Sequence, residues 1–264
     1  YVARIDQDDI SLPERLAKQV LILNQYPHMA IVGSNYWEID EQGNHLVLAN
    51  CPTNDTDIRW RMLFNCCFGH STVMIRRAIL KRNNFSYDQR FTLASDYDLW
   101  SRILHHGECM ILEHPLAKIR QHSEQRSQLI TDRQIQILNT ARICRLNIES
   151  LGIRISYAEA KTFVSWFWYL GLPKALTNKD MIPYRLLLQI FSVFEQQQGI
   201  DREAIHSIRQ RLVSNIVFAI SLNKLRDLFI SGHLNILLRD DIRFFLANLY
   251  TRIKGRINEF IRAS

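Results

Sequence analysis

Near Ser123 the hydrophobic rhythm of this 264-residue chain changes, and that change limits the folds open to it. Before Ser123, short apolar runs alternate with amphipathic stretches. After it, apolar residues recur almost throughout at helical spacing to Ser264. Alternating strand-like and helix-like segments require a sheet covered by helices, and a long helical stretch cannot extend that sheet. The expectation is an α/β part over 1–127 followed by an α-helical extension over 128–264. The chain opens on Tyr1 rather than Met, and Tyr1–Ile5 reads as the tail of a buried strand, so upstream sequence is expected to be missing.

The segments of the first part can be placed one by one. The opening strand breaks into the acidic turn Asp6-Gln7-Asp8-Asp9. Ser11-Leu12-Pro13-Glu14 predicts a capping box, with Leu12, Leu16, Val20 and Leu23 at helical spacing behind it and Tyr26-Pro27 as a stop. Ala30–Ile39 is rich in strand formers, Glu41-Gln42-Gly43-Asn44 is a turn, and His45–Ala49 returns as a strand. Asp55–Phe64 predicts a helix, Ser71–Ile75 a buried strand and Asp96–His105 another helix. Cys109–Leu112 and Leu116–Arg120 predict two closing strands. Further on, Pro173 and Pro183 punctuate the helices, and Trp166, Phe167, Trp168 and Tyr169 predict an aromatic core cluster, with anchoring at a membrane interface as the alternative.

Composition excludes several classes. Hydrophobic residues make up 47% and charged residues 22%, so the chain can build a core and does not read as disordered. No run of about 18 uninterrupted apolar residues exists to span a membrane. Cys51, Cys66, Cys67, Cys109 and Cys144 are five in number without CxxC spacing, which reads as reduced thiols of a cytosolic protein. The net charge is +7, with basic residues in excess over 201–264. No helix-turn-helix, zinc or RNA-binding pattern accompanies it, so nucleic acid is not the expected partner. Over 242–262, an apolar stripe including Phe245, Leu249 and Ile253 opposes Arg243, Arg252, Lys254 and Arg256. Such a helix packs on the rest of the protein or lies peripherally on an anionic membrane.

The acidic turn carries the strongest chemical signal. Asp6, Asp8 and Asp9 follow directly on an apolar strand, and three carboxylates so close repel one another. A divalent cation with a preference for oxygen relieves that repulsion. A solvated turn with Asp9 or Ser11 capping the next helix is the plain alternative.

At this turn a family resemblance enters. Ala3-Arg4-Ile5-Asp6-Gln7-Asp8-Asp9, continued by Pro13-Glu14-Arg15-Leu16, resembles the ARxDxDDxxxPxRL stretch of family 2-type glycosyltransferases. Lys18-Gln19 and Val32-Gly33-Ser34 extend the match. His70-Ser71-Thr72-Val73-Met74-Ile75-Arg76-Arg77 is similar to the family's HxSVMxRR segment. Tyr87-Asp88, Phe91 and Ser95-Asp96-Tyr97-Asp98-Leu99-Trp100 with Arg102 are similar to YDExFxxxEDYDLWxR. Arg120-Gln121-His122 with Ser127 resembles the YRxHxxxxS stretch. Four blocks in order cover residues 1–127 and stop there.

The resemblance implies an incomplete GT-A fold, a nucleotide-diphospho-sugar transferase-like α/β/α domain, running the inverting reaction. Asp6 and Asp8 would hold Mn²⁺ or Mg²⁺, with His122 as a further ligand. Arg4, Asp6 and Asp9 would face the nucleotide-diphosphate sugar donor. Asp96 would be the general base, with a helix N-cap as its plain alternative, and His70 and Asp98 would lie on the acceptor side. Arg76 and Arg77 would contact phosphate or start a solvated helix; Leu99 and Trp100 read as core, and Trp37 and Trp60 as buried, with stacking on a sugar ring as their alternative. Ser95 replaces the family's usual Glu and removes a carboxylate expected to position donor or acceptor. In the family the nucleotide base is bound by segments before the acidic turn, so a chain starting at Tyr1 is expected to bind donor poorly. The implied acceptor is a bacterial surface polysaccharide or lipid-linked glycan, and the implied place is the cytoplasm, including the inner face of the membrane.

Overall fold

A computed structural model describes residues 1–122, 130–168 and 181–219, together with 246, 247, 249–251 and 254. The chain divides into two compact units, Tyr1–Ser150 with Arg154–Val164, and Leu151–Ile153 with Ser165–Ser264.

The first unit is mixed α/β. Its elements run β1 (Val2–Ala3), β2 (Ile10–Ser11), α1 (Arg15–Gln25), β3 (Met29–Ile39), β4 (His45–Ala49), α2 (Asp55–Met62), β5 (Met74–Ile75), α3 (Arg77–Arg82), α4 (Ser95–Leu104), β6 (Glu108–Arg120) and α5 (Ile130–Glu149). Single 3-10 turns occupy His70–Thr72 and Gln89–Phe91. The six strands form one sheet in the order β1-β5-β3-β6-β2, with β4 on the distal half of β3. Among the described residues only β3 and β6 pair in parallel, and every other pairing is antiparallel. These two long central strands are the scaffold, and the short strands hang the site's loops on them.

Strand alternation sends β3 into two cores. Ile31 packs with Ile58, Trp100, Ile103 and Ile111 on the side covered by α2 and α4. Its neighbour Val32 packs with Leu23, Met29 and Met74 on the side of α1. Both faces of β3 are thus buried, which suits its near-continuous apolar run better than simple alternation would. Trp60, Leu99 and Trp100 are core residues as expected, whereas Trp37 is half-buried and stacks on His45 with ring centroids 4.5 Å apart.

Several local expectations are corrected. Ser11 does not cap a helix: it pairs with Ala117 in the sheet, and α1 starts later, after Glu14, with no side-chain cap. The buried face of α1 is Arg15, Gln19 and Leu23, while Leu16 is 52% exposed. Polar side chains took the inner stripe because neighbouring backbone carbonyls need donors there. β1 is a short exposed edge rather than a buried tail. Of the strand expected over 71–75, only Met74–Ile75 is extended, because His70–Thr72 winds into a 3-10 turn.

The two closing strands are one. β6 runs through Pro115, and its register against β3 jumps from Ser34↔Leu112 to Tyr36↔Ala117, so Glu113–Leu116 bulges out. Asn35 fills the gap, its amide donating to Glu113 O at 2.9 Å and its carbonyl accepting from Cys51 N at 3.0 Å. A bulge is where a strand tolerates proline. Arg76 is likewise structural: its guanidinium donates to Leu23 O, Tyr26 O and Met29 O and so caps the C-terminal end of α1.

The rhythm change near Ser123 is a change of secondary structure, not of packing. The compact first unit continues past residue 127 through α5. Ile143 enters the α2/α4 core, Asn139 donates to Thr92 O at 2.7 Å, and Asn147 donates to Met62 O at 2.8 Å. The helix belongs to the α/β unit because it covers apolar surface that the sheet's own helices leave open.

In the second unit, α7 (Met181–Phe194) buries Tyr184, Leu187, Leu188, Phe191 and Phe194, and α8 (Arg202–Ala219) buries Ile205, Ile208, Leu212 and Val213. Both stripes have helical period. Arg209 pairs with Glu195 at 2.5 Å, and Trp166, near the end of α6 (Tyr157–Trp168), packs on Tyr184. Pro183 sits in the first turn of α7, where its missing N–H costs nothing. Trp168's side chain, Tyr169, Pro173 and most of the amphipathic stretch at 242–262 lie outside the described residues. Among the described residues no helix is long and apolar enough to cross a membrane.

Candidate active site

β1 delivers the chain to the acidic turn, β2 carries it away, and four separate stretches converge on it. The turn closes with Asp9 N donating to Asp6 O. Its position is held from behind by Arg15, which is 1% exposed and donates to Arg4 O at 2.6 Å and Val73 O at 3.1 Å. Gln19, one helical turn on, donates to Thr72 O at 2.6 Å and Val32 O at 3.1 Å. Together they tie α1 to both loops of the site. Sequence reasoning missed the pair as a unit. The available signal was two polar residues at i, i+4 in register with Leu23.

Each carboxylate of the turn has its own partners. Asp6 Oδ1 is ion-paired with Arg4, and Asp6 Oδ2 lies 3.0 Å from His70 Nδ1 and 3.2 Å from Ser71 Oγ. Asp8 Oδ2 lies 3.1 Å from His122 Nε2. Asp9 accepts from Ser71 through Oδ2 and from Arg120 N at 2.8 Å through Oδ1. Burial raises the Asp9 pKa; Ser71 and Arg120 N oppose the rise, and Asp8 and Asp6 add to it. Ser71 was not singled out in the sequence, yet its hydroxyl bridges two carboxylates and accepts from Asp6 N. Arg120 donates to Asp8 O at 3.1 Å and to the carbonyls of Asp40 and Glu41, locking the turn to the β3–β4 turn.

The network fixes the state of His70. Arg4 Nε can only donate, and it lies 3.2 Å from His70 Nε2. That nitrogen therefore carries no hydrogen, and Nδ1–H donates to Asp6. Tyr87 OH reaches the same Nε2 at 3.0 Å. Tyr87 is a second residue that was quoted in the sequence without a role.

Asp96 stands in the first turn of α4, behind Ala94 as the N-cap, so it is not itself the cap. The helix terminus does not keep this carboxyl at its ordinary value. Burial pushes its pKa up, and the backbone N–H groups of Tyr97 and of Asp96 itself recover only part. A carboxylate held above its usual range is a better proton acceptor. Asp98 is buried and ion-paired to Arg102 at 2.6 Å on another face of α4.

The donor set can be tested against a divalent cation. Asp8 and His122 bring a carboxylate and an imidazole together, a combination that suits Mn²⁺. Asp6 is engaged by Arg4, His70 and Ser71. Among the described residues no three His, Cys, Asp or Glu side chains form a ready metal cage. The pair fits a cation that completes its shell with phosphate oxygens and water, as Mg²⁺-type ions commonly do.

Burial holds the Cys51, Cys67, Cys109 and Cys144 thiols above their usual range, so they stay neutral at pH 7.

With this geometry in place, comparison shows what part of the chain is similar to, and the similar proteins are glycosyltransferases. Amylovoran biosynthesis glycosyltransferase AmsE of Erwinia amylovora is 33% identical over 119 residues, 45% of this chain and 41% of that protein. O-antigen biosynthesis glycosyltransferase WbnJ of Escherichia coli is 36% identical over 108 residues, 41% of this chain and 40% of that one. The chain thus spans about two fifths of the length of these curated relatives. No family model matches. An overlay on the crystal structure of S. aureus TarS 1-349 covers 95% of this chain and 66% of that one, with 9% identity and a TM-score of 0.40, too low to carry an assignment.

Proposed function

We propose that the first unit is the catalytic side of an inverting, metal-dependent glycosyltransferase. It moves a sugar from a nucleotide-diphosphate donor to an acceptor hydroxyl. The observation that carries the reading is the convergence of Asp8, His122, Asp6, His70 and Asp96, from four separate stretches, at one end of the sheet. Ligands of α/β sheets collect at strand ends. The names of the similar proteins, amylovoran and O-antigen biosynthesis, support a bacterial surface glycan as acceptor.

In this reading Asp8 and His122 would hold Mn²⁺ or Mg²⁺, which would supply positive charge to the departing nucleoside diphosphate. Arg4 adds a fixed cation beside the turn. Asp9, anchored by Ser71 and Arg120, shapes the backbone that the donor meets. Asp96 takes the proton of the acceptor hydroxyl as that oxygen attacks the anomeric carbon, giving inversion in one displacement. His70 donates to Asp6 and presents its other nitrogen to Tyr87 at the acceptor side. Ser95 opens α4, so Asp96 has no carboxylate directly before it in the chain. Localisation at the cytoplasmic face follows from the same reading.

The test is a panel of nucleotide sugars with Mn²⁺, using the full gene product. One donor should be hydrolysed or transferred; Asp8→Asn should abolish metal-dependent binding. Asp96→Asn should keep binding and lower turnover by about 10²–10⁴-fold, the usual worth of a general base. Absence of nucleotide-sugar binding with any metal would leave a non-catalytic relative as the better description.

A further inference from the structure

A groove of about 730 Å³ opens beside the site, between the Ser86–Phe91 segment, α4 and α5. That volume lies in the ordinary range of ligand pockets, roughly 300–1,000 Å³. We propose that it binds the distal sugars of a neutral acceptor glycan, whose reacting end lies past Tyr87 at His70 and Asp96. The proposal rests on the transferase reading above and adds to it a second carbohydrate subsite.

Charge balance argues for a neutral ligand. Arg102 is matched by Asp98 at 2.6 Å and also donates to Ser86 O at 2.7 Å. Arg90 is matched by Asp88 at 2.6 Å. A phosphate or carboxylate entering the groove would have to compete with a carboxylate already in place for each guanidinium. His105 completes the wall, and burial with Arg59 and His106 nearby lowers its pKa, so it adds no charge at neutral pH.

Surface chemistry argues for a sugar. Tyr87 is 42% exposed and Leu146 49% exposed, two apolar surfaces in a groove of mixed polar and apolar lining. A sugar ring is amphipathic in the same way, with a C–H face and a hydroxyl edge, and aromatic rims suit the former. Asn147 is held by Met62 O and Ser101 Oγ, so the floor of the groove is rigid before a ligand arrives.

Position joins the groove to the chemistry. Tyr87 lines it and places its hydroxyl 3.0 Å from His70 Nε2, whose Nδ1 is 3.0 Å from Asp6 Oδ2. The groove is thus linked to the acidic turn by two hydrogen bonds made through the His70 ring.

The test uses an array of neutral and of phosphate- or uronate-bearing bacterial oligosaccharides as probes for the full gene product. Wild type is compared with Leu146→Glu and, as a second exposed change, Arg90→Ala; thermal melts confirm that both fold. Wild type should retain neutral oligosaccharides, and both variants should weaken retention by about tenfold, the effect of losing one well-placed contact. Nucleotide-sugar hydrolysis, measured separately, should stay unchanged in both. Retention that ignores both substitutions, a preference for the anionic probes, or no retention at all would overturn the proposal. If groove-dependent retention persists while no nucleotide sugar is hydrolysed, the groove stands and the transferase reading falls.

Discussion

Asp8 and His122 stand 114 positions apart in the chain, and their side chains meet at 3.1 Å between Oδ2 and Nε2. The contact exists because β2 pairs with the last residues of β6, Ile10 with Lys118 and Ser11 with Ala117. The sheet therefore carries the acidic turn and the end of β6 to one place. On this pairing we expect Mn²⁺ bound by the wild type to give an altered electron paramagnetic resonance spectrum. His122→Ala should weaken Mn²⁺ binding and Asp8→Asn should remove it. Equal binding by both variants would place the cation elsewhere.

The second prediction concerns pH. A raised pKa means that Asp96 is protonated, and useless as a base, over a wider acid range than an ordinary carboxylate of 3.8. Transfer should therefore fall as pH drops, with its inflection above 3.8, and be flat above that limb until another group titrates. In Asp96→Asn the acid limb should vanish from the residual rate. A limb that survives unchanged would assign it to a different group.

Arg15 offers a stability test away from the reacting groups. Arg15→Met fills similar volume but strands the carbonyls of Arg4 and Val73 and the side chain of Gln19. The expected loss is about 2–4 kcal/mol, the cost of breaking a buried charged hydrogen-bond set. Urea unfolding measures it as a lower midpoint. An unchanged midpoint would show that water replaces the guanidinium freely.

Gly107 tests the start of the parallel pairing. A Cβ there would sit 2.5 Å from His28 O, the same carbonyl that accepts from Glu108 N at 2.9 Å and opens the β3–β6 register. Because backbone cannot yield as a side chain tip can, Gly107→Ala should destabilise by about 1–3 kcal/mol. A thermal melt reads this directly. Stability equal to wild type would mean that β6 starts later than described.

Local sequence sufficed where local physics decides. The turn at Gly43, the helices α2 and α4, and the long apolar strand β3 could be read from residue type and spacing, because each is set by neighbours within a few positions. The helical character of α5 to α8 followed in the same way. The four family-like blocks also marked out the acidic turn, His70, Asp96 and His122 as a set before any distance was known.

Tertiary structure decided the rest. That Arg15 and Gln19 face inward while Leu16 stays in water depends on carbonyls contributed by β1, β3 and the loop before β5, which no window around α1 contains. That Arg76 caps α1, and that Asn35 fills the bulge in β6, are likewise long-range bargains between backbone groups left without partners. α5 joined the α/β unit although its sequence rhythm belongs to the helical half, since packing responds to exposed apolar surface and not to secondary-structure type. The sequence alone marked out the candidate residues; only the folded sheet determined which of them touch, because contact across more than a hundred residues is set by strand register and not by spacing.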